Sequence, residues 1–566
     1  MNLSPNDKIA GVLAPLFALR TEDDLGVGDV AALRQFIDWS RAHGFRLVQL
    51  LPINETGGDN SPYNAISSRA IEPTTLHLTP GSPEDLSEEA FTEVTAGIDL
   101  AALCRGSVKY EIVKPLKRKL LERAFAAFRA RAEANPDFVA FCEKEKSWLA
   151  DYTLFRVLME LNGERETWDV WQPEHSNIET ARPWFDSLGE EERAPLEERR
   201  AFHDYVQWIA HRQWREVKSC AERQGVALMG DIPFGVSYYS ADVFVHPERF
   251  ALDWSGGAPP EPYFKDDEFT QKWGQNWGIP LYRWDVMRSH GFDWWRQRVH
   301  GVREIFHLFR IDHVLGFYRI YAFPWRPQEN AEFLPLNWDE MRARTGGREP
   351  HFSPRDDRSW ENGEANRREG EEYLRVVLEE AGANRLVGED LGTVPDYTRP
   401  SLRSLGIAGF KIPQWENYPD NRSIPGSAYE RASVATFATH DHKPVRALWE
   451  SAFEKPDAPE QARHDLAKMA EFAGISPPNE SSDYLREFYP AIFEALFRSE
   501  SWIALIMITD LLGRKERFNV PGTASGSNWT RRLHTTVGKL GRGHALQHQL
   551  RLVRSLLEKT GRTRSA

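Results

Sequence analysis

The chain has 566 residues, 41% hydrophobic and 27% charged, enough for a large packed core beneath a well-solvated surface. A formal net charge of -13 opposes nucleic-acid binding, and three scattered cysteines, Cys104, Cys142 and Cys220, suit neither a disulfide framework nor a zinc site. A neutral or cationic substrate and a reducing cytoplasm fit this balance.

The first apolar run, Gly11 to Leu19, contains Pro15 and passes into acidic TEDD, so it reads poorly as a signal peptide and better as a strand. Asp29 can then cap a helix whose Val30, Leu33, Phe36 and Ile37 share one face, and Gly44 can end it. Within this turn, GVGDVA, Gly26 to Ala31, fits G-x-G-x-x-A. The strand ends several residues earlier, and acidic residues intervene, so nucleotide binding is not expected.

Phe45 to Leu51 reads as the second strand, and about 170 residues then pass before the third, Val226 to Asp231. Helical spacing of Leu116, Leu120, Ala124 and Phe128, of Trp148, Tyr152, Phe155 and Met159, and of Phe202, Val206 and Ile209 makes this an inserted helical region. Further strands are expected at His307 to Asp312, Arg385 to Glu389, Ala408 to Ile412, Ala432 to Thr439 and Trp502 to Asp510. The run Trp502 to Ile508 is too short to span a bilayer, so no membrane association is expected. The final RTRSA is expected to fray.

Strands alternating with helices point to an α/β chain, and eight of them to a (β/α)₈ TIM barrel with inserted, mainly helical subdomains. The expected organisation is a single catalytic unit over 1–566. Residues 1–80 open the barrel, 81–200 form the helical insertion, and 201–566 complete it with rim loops at 235–290 and 328–371.

Alternate side chains of a strand share a face, so in FRIDHVLGF Leu308, Arg310 and Asp312 turn inward while Phe309 and Ile311 turn towards the helices. Asp312 then stands at the C-terminal rim, where barrel enzymes keep their chemistry. Glu389 in LVGEDLG and Asp441 in FATHDHKP reach the same rim. Two carboxylates flanking one bond are what glycoside cleavage requires, and a third can hold sugar hydroxyls. Arg310 is expected to keep Asp312 ionised, and an apolar or acidic setting to raise the pKa of Glu389 so that it can donate a proton. The H-x-H of His440 and His442, with His313 beside Asp312, admits a metal-dependent alternative, although metal-dependent barrel hydrolases place that motif on the first strand. No cofactor and no metal are expected.

SPY, Ser61 to Tyr63, the aromatic loop Gly257 to Trp284 and NVPGT, Asn519 to Thr523, bring rings and hydroxyls to this rim. With LPINETGGDNSPY, VKPLKRKLLERAF, GDIPFGV, WGIPLYRW, FRIDHVLGF, GEDLG, THD and NVPGTASGSNW in this order, the chain resembles the amylomaltases, 4-α-glucanotransferases of glycoside hydrolase family 77. The resemblance implies retaining transfer of an α-1,4-glucan segment to a glucan or glucose acceptor. Asp312 is then the nucleophile, Glu389 the acid/base and Asp441 the carboxylate that stabilises the distorted sugar. It also implies substrate contacts from Tyr63, Asp231, Trp277, Arg310, His313, His440 and Asn519. A plain α-glucan hydrolase would use the same carboxylates. The chain departs from the family pattern at His442, Lys443 and Pro444 after T-H-D, at Ile279, in the charged stretch KDDEFTQKW, and at Asn528 to Arg532.

Overall fold

The computed structural model describes residues 1, 3–261, 267–455, 460–521 and 526–563. Its centre is a barrel of eight parallel strands: β1 Ile9–Leu13, β2 Leu47–Gln49, β3 Ala227–Ile232, β4 Leu308–Ile311, β5 Leu386–Gly388, β6 Gly409–Lys411, β7 Ser433–Ala435 and β8 Ile503–Met507. Each pairs with its sequence neighbour, and β1 closes on β8 with Ile9 opposite Ile503. A bridge between Val387 and Ala408, with the Gly388 N–H donating to the Ala408 carbonyl at 2.8 Å, links β5 to β6.

All eight expected strands are present, and several are shorter or shifted. The first is Ile9–Leu13 rather than Gly11 to Leu19, because Pro15 offers no N–H to a ladder and Leu16–Ala18 coil into a 3₁₀ turn. The last stops at Met507, where Ile508–Leu511 become helical. Asp29 caps the helix Val30–Ala42 as expected, accepting from the Ala31 and Ala32 N–H groups. In the GVGDVA turn, a Cβ on Gly28 would lie 1.9 Å from the Leu16 carbonyl oxygen. That glycine lets the helix start press against the exit of β1, which accounts for the motif without a phosphate.

The alternation read from FRIDHVLGF holds. Leu308 joins the barrel interior, whereas Phe309 and Ile311 pack with Trp294, Val299, Leu374 and Val377 of the surrounding helices Asp293–Ile305 and Trp360–Ala381. Between β2 and β3 the long helices are Tyr110–Phe128, Pro136–Leu161 and Glu190–Gln224, and the apolar stripes read from sequence are their buried faces. The helix Glu190–Gln224 runs through position 200 and ends at Gly225 (φ 63°), so chain from the insertion enters β3 directly. Among the described residues, no helix is long and apolar enough to cross a membrane.

One feature had no expectation, and another corrects one. The rim loops carry a four-stranded antiparallel sheet, in the order Gln275–Tyr282, Phe250–Ala258, Ile320–Phe323, His351–Ser353. Its strands include Gly256, Gly257, Gly278 and Pro280, residues of low strand preference, and show no clean alternation. The RTRSA tail is not frayed at its start: Arg562 is fully buried. Its guanidinium donates to the carbonyls of Ile9 (2.9 Å), Phe497 (2.6 Å), Ser499 (2.8 Å) and Ser501 (3.0 Å), plugging the barrel floor where β1 meets β8. Residues 564–566 lie outside the described set.

Removing this plug leaves several buried carbonyls without a donor. Arg562→Ala is expected to lower stability by about 3 kcal/mol or more in urea unfolding. A change below about 0.5 kcal/mol would show that the tail is dispensable for closure.

Candidate active site

The parallel register lines up Asp231 of β3, Arg310 of β4 and Val387 of β5 across three adjacent strands. Two residues further along, Asp312 and Glu389 therefore emerge together above Arg310. Arg310 is only 1% exposed. Its Nη1 donates to both carboxylate oxygens of Asp231, at 2.7 and 2.6 Å. Its Nη2 reaches Asp312 Oδ1 at 2.7 Å and Glu389 Oε1 at 3.1 Å. Because one nitrogen touches both, these two oxygens stand no more than about 6 Å apart, a spacing that suits the retaining arrangement of paired carboxyls.

The third carboxylate is held by a different set. Asp441 accepts from Asn519 Nδ2 at 2.6 Å and pairs with His440 Nε2 at 3.2 Å. The His440 ring stacks on Tyr63, with centroids 5.1 Å apart and planes 8° from parallel. Tyr63 in turn donates its hydroxyl to Asp231 at 2.7 Å, which ties the two sets together. A cleft of about 1060 Å³ opens above them, lined by Tyr63, Trp277, Asp312, His313, Glu389, Asp441 and Asn519 among others. Asp231, Arg310 and His440 form a buried layer beneath the lining. The three carboxylates thus converge on one cavity. Of the implied contacts, Asp231 has both oxygens engaged by Arg310 and Tyr63 and supports the lining from below.

Burial disfavours charge on all three carboxylates, and their partners decide the outcome. Against that burial, His440 and Asn519 hold Asp441 well below the usual carboxylate range, and Asp441 with its hydrogen bond raises the His440 imidazole. Arg310 and the His313 N–H, which donates to Glu389 Oε2 at 2.9 Å, likewise outweigh burial and lower Glu389. Asp312 is pushed up to about 7 by burial, only partly opposed by Arg310, with Glu389, Asp231 and Asp441 adding repulsion. In the free site the two shifts run against the expected division, Asp312 upward and Glu389 downward. The physical reason is the extra donor that His313 gives Glu389; His313 takes a left-handed backbone (φ 46°, ψ 56°) at this point.

The H-x-H does not converge as a ligand pair. His440 is engaged by Asp441 and Tyr63, and the His442 Nδ1 contacts the Thr439 hydroxyl at 2.8 Å. Among the described residues, no three His, Cys, Asp or Glu side chains are grouped to hold a metal.

The family model for 4-alpha-glucanotransferase matches residues 14–537. The chain belongs to glycoside hydrolase family 77. It is 30% identical to the 4-alpha-glucanotransferase of Chlamydia muridarum, over 94% of this chain and 92% of that protein. It is also 30% identical to the enzyme of that name from Thermus thermophilus, over 88% of this chain and 90% of that protein. The amylomaltase of Streptococcus agalactiae, solved in complex with acarbose, shares the fold with a TM-score of 0.75 at 21% identity, covering 98% of this chain and all 100% of that one.

Within this family member, the lining residues Trp529 and Arg517 make contacts that sequence reasoning did not assign. Trp529 lies 5.9 Å from Tyr63 and 6.1 Å from His440, while Asn528 grips Val520 through both its amide atoms, holding the Asn519 turn. Arg517 donates to the Asp441 carbonyl oxygen. Its neighbours in RKER give no motif to announce it. The departures sort by position. Ile279 lines the cleft and fills the space over Gly235, where an added Cβ would come within 2.4 Å of it. Arg532 is buried in an ion pair with Asp24 at 2.6 Å, which fixes the loop rather than the lining. Pro262 to Phe264, Lys265 and Asp266 of the aromatic loop, and Gly522 to Ser525 after NVP, lie outside the described residues.

Replacing Arg310 leaves buried carboxylates without their cation. Arg310→Met is expected to cost about 3–5 kcal/mol in urea unfolding, and Arg310→Lys to recover only part of that because an ammonium cannot span the three carboxylates. Full recovery by lysine would show that charge alone, not the fork, holds the layer.

Proposed function

We propose that the chain works as a 4-alpha-glucanotransferase, moving an α-1,4-glucan segment from a donor to the 4-hydroxyl of a glucan or glucose by retaining double displacement. The observation that carries this reading is Arg310 reaching Asp312 and Glu389 with one nitrogen, so that two carboxyls face one site at short spacing.

Asp312 attacks the anomeric carbon. The glycosidic bond to the leaving glucan breaks as Glu389 protonates its oxygen. The acceptor hydroxyl then attacks the anomeric carbon of the glycosyl-enzyme, its ester bond to Asp312 breaks to release that carboxylate, and Glu389 takes the hydroxyl proton. For this cycle Asp312 must be ionised and Glu389 protonated once substrate fills the cleft, against the direction each takes in the free site; Arg310, in contact with both, stabilises the anion on either. Asp441, kept anionic beside His440, accepts hydroxyls of the distorted sugar as positive charge develops on its ring. Tyr63, Trp277 and Trp529 supply flat rings to the cleft walls. The three cysteines are unpaired, which accords with a cytoplasmic enzyme.

Purified protein incubated with maltotriose is expected to yield glucose and a ladder of longer maltooligosaccharides. Maltose and glucose with nothing longer would instead mean that water takes the intermediate. Asp312→Asn is expected to lower turnover by roughly 10⁴-fold or more while the protein stays folded, since a covalent nucleophile is lost.

The charge reading has its own test. Loading from an α-maltosyl fluoride, whose leaving group needs no acid, requires ionised Asp312, so its rate should rise as pH increases through about 7. In Glu389→Gln, a negative neighbour is gone and that rise should shift to lower pH. An unmoved limb would show that Glu389 does not set the nucleophile's ionisation.

A further inference from the structure

The segment Thr439 to Val445 leaves β7, passes Asp441 and contains the departures His442, Lys443 and Pro444. His442 lines the catalytic cleft. The Thr439 backbone N–H points at His442 Nδ1 at 3.2 Å, and the Thr439 hydroxyl lies 2.8 Å from the same atom. A backbone N–H can only donate, so Nδ1 keeps its lone pair and the neutral ring carries its proton on Nε2.

The ring is braced from one side by Trp415, edge-on at 4.9 Å between centroids, and Trp415 itself is 45% exposed. Gln414 anchors that neighbour's segment by donating to the Phe437 carbonyl at 2.7 Å. Burial pushes the His442 imidazole down; Asp441 and Glu389 oppose this, while His440 and Arg517 add to it. The result is a braced imidazole in the cleft lining, close enough to Asp441 and Glu389 to feel their charge, with Nδ1 engaged by Thr439 and Nε2–H left as the ring's donor.

We infer that His442 is a specificity-determining residue for the acceptor, its Nε2–H donating to a hydroxyl of the glucan that departs from, or returns to, Glu389. The inference rests on the roles of Asp312 and Glu389 proposed above. Loading from α-maltosyl fluoride needs only the sugar bound over Asp312, whereas transfer needs the incoming sugar aligned beside Glu389. A donor acting on that second sugar lowers the acceptor KM more than it speeds loading.

His442→Phe keeps a flat ring and removes the donor; His442→Gln keeps an N–H. Two quantities are measured in each: the KM for glucose as acceptor with maltotriose as donor, and kcat/KM for hydrolysis of α-maltosyl fluoride. The Phe variant is expected to raise the acceptor KM about five-fold beyond any loss in fluoride hydrolysis, the worth of one hydrogen bond. The Gln variant should return to within about two-fold of the parent. An unchanged acceptor KM in the Phe variant, or equal losses in both measurements, overturns the inference. If the Phe variant does not fold, the Gln variant decides, and a five-fold rise in its acceptor KM overturns it equally. A parent protein that lengthens no maltotriose refutes the transferase reading itself, an outcome distinct from either.

Discussion

A buried guanidinium is costly to desolvate, and this protein places one at the centre of its barrel mouth. Arg310 repays that cost only by engaging carboxylates on three successive strands, Asp231 beside it, Asp312 above it and Glu389 across from it. The planar fork allows few arrangements, so the arginine acts as a template for the positions of the carboxylate oxygens it touches. The parallel register of β3, β4 and β5 is what brings these side chains to one height. Barrel closure, secured at the floor by Arg562 and at the walls by the outward packing of Phe309 and Ile311, therefore bears directly on the chemistry.

Three carboxylates share one cleft and differ in acidity because they differ in partners. Asp441 has an imidazole and an amide donor, Glu389 has a share of Arg310 and a backbone N–H, and Asp312 has a share of Arg310 while facing the other negative groups. Burial raises the stakes for each partner, since a poorly solvated carboxylate responds strongly to one donor gained or lost.

Much of this was legible in the residues. Parallel strands buried on both sides read as short apolar runs, so all eight could be located, and the two-residue period of a strand separated Arg310 and Asp312 from Phe309 and Ile311. Carboxylates at the ends of apolar runs stood out because an interior strand has no reason to end in charge. The rim sheet escaped notice since its glycines and Pro280 mimic loop composition, and its pairing joins segments far apart in the chain. Arg562 escaped for a related reason: a terminal arginine reads as solvated until five distant carbonyls are seen to surround it.

The barrel, the face on which each strand side chain lies and the residue types available for glycoside chemistry are already written in the chain, because these follow from local periodicity and from side-chain identity. Which groups touch is set by the folded chain: Asp231 supports Arg310 and Tyr63, His440 serves Asp441, and the partners gathered round each carboxyl push Asp312 up and Glu389 and Asp441 down. Those outcomes depend on distances of a few ångströms between residues far apart in the chain, and on the burial that makes each such contact count.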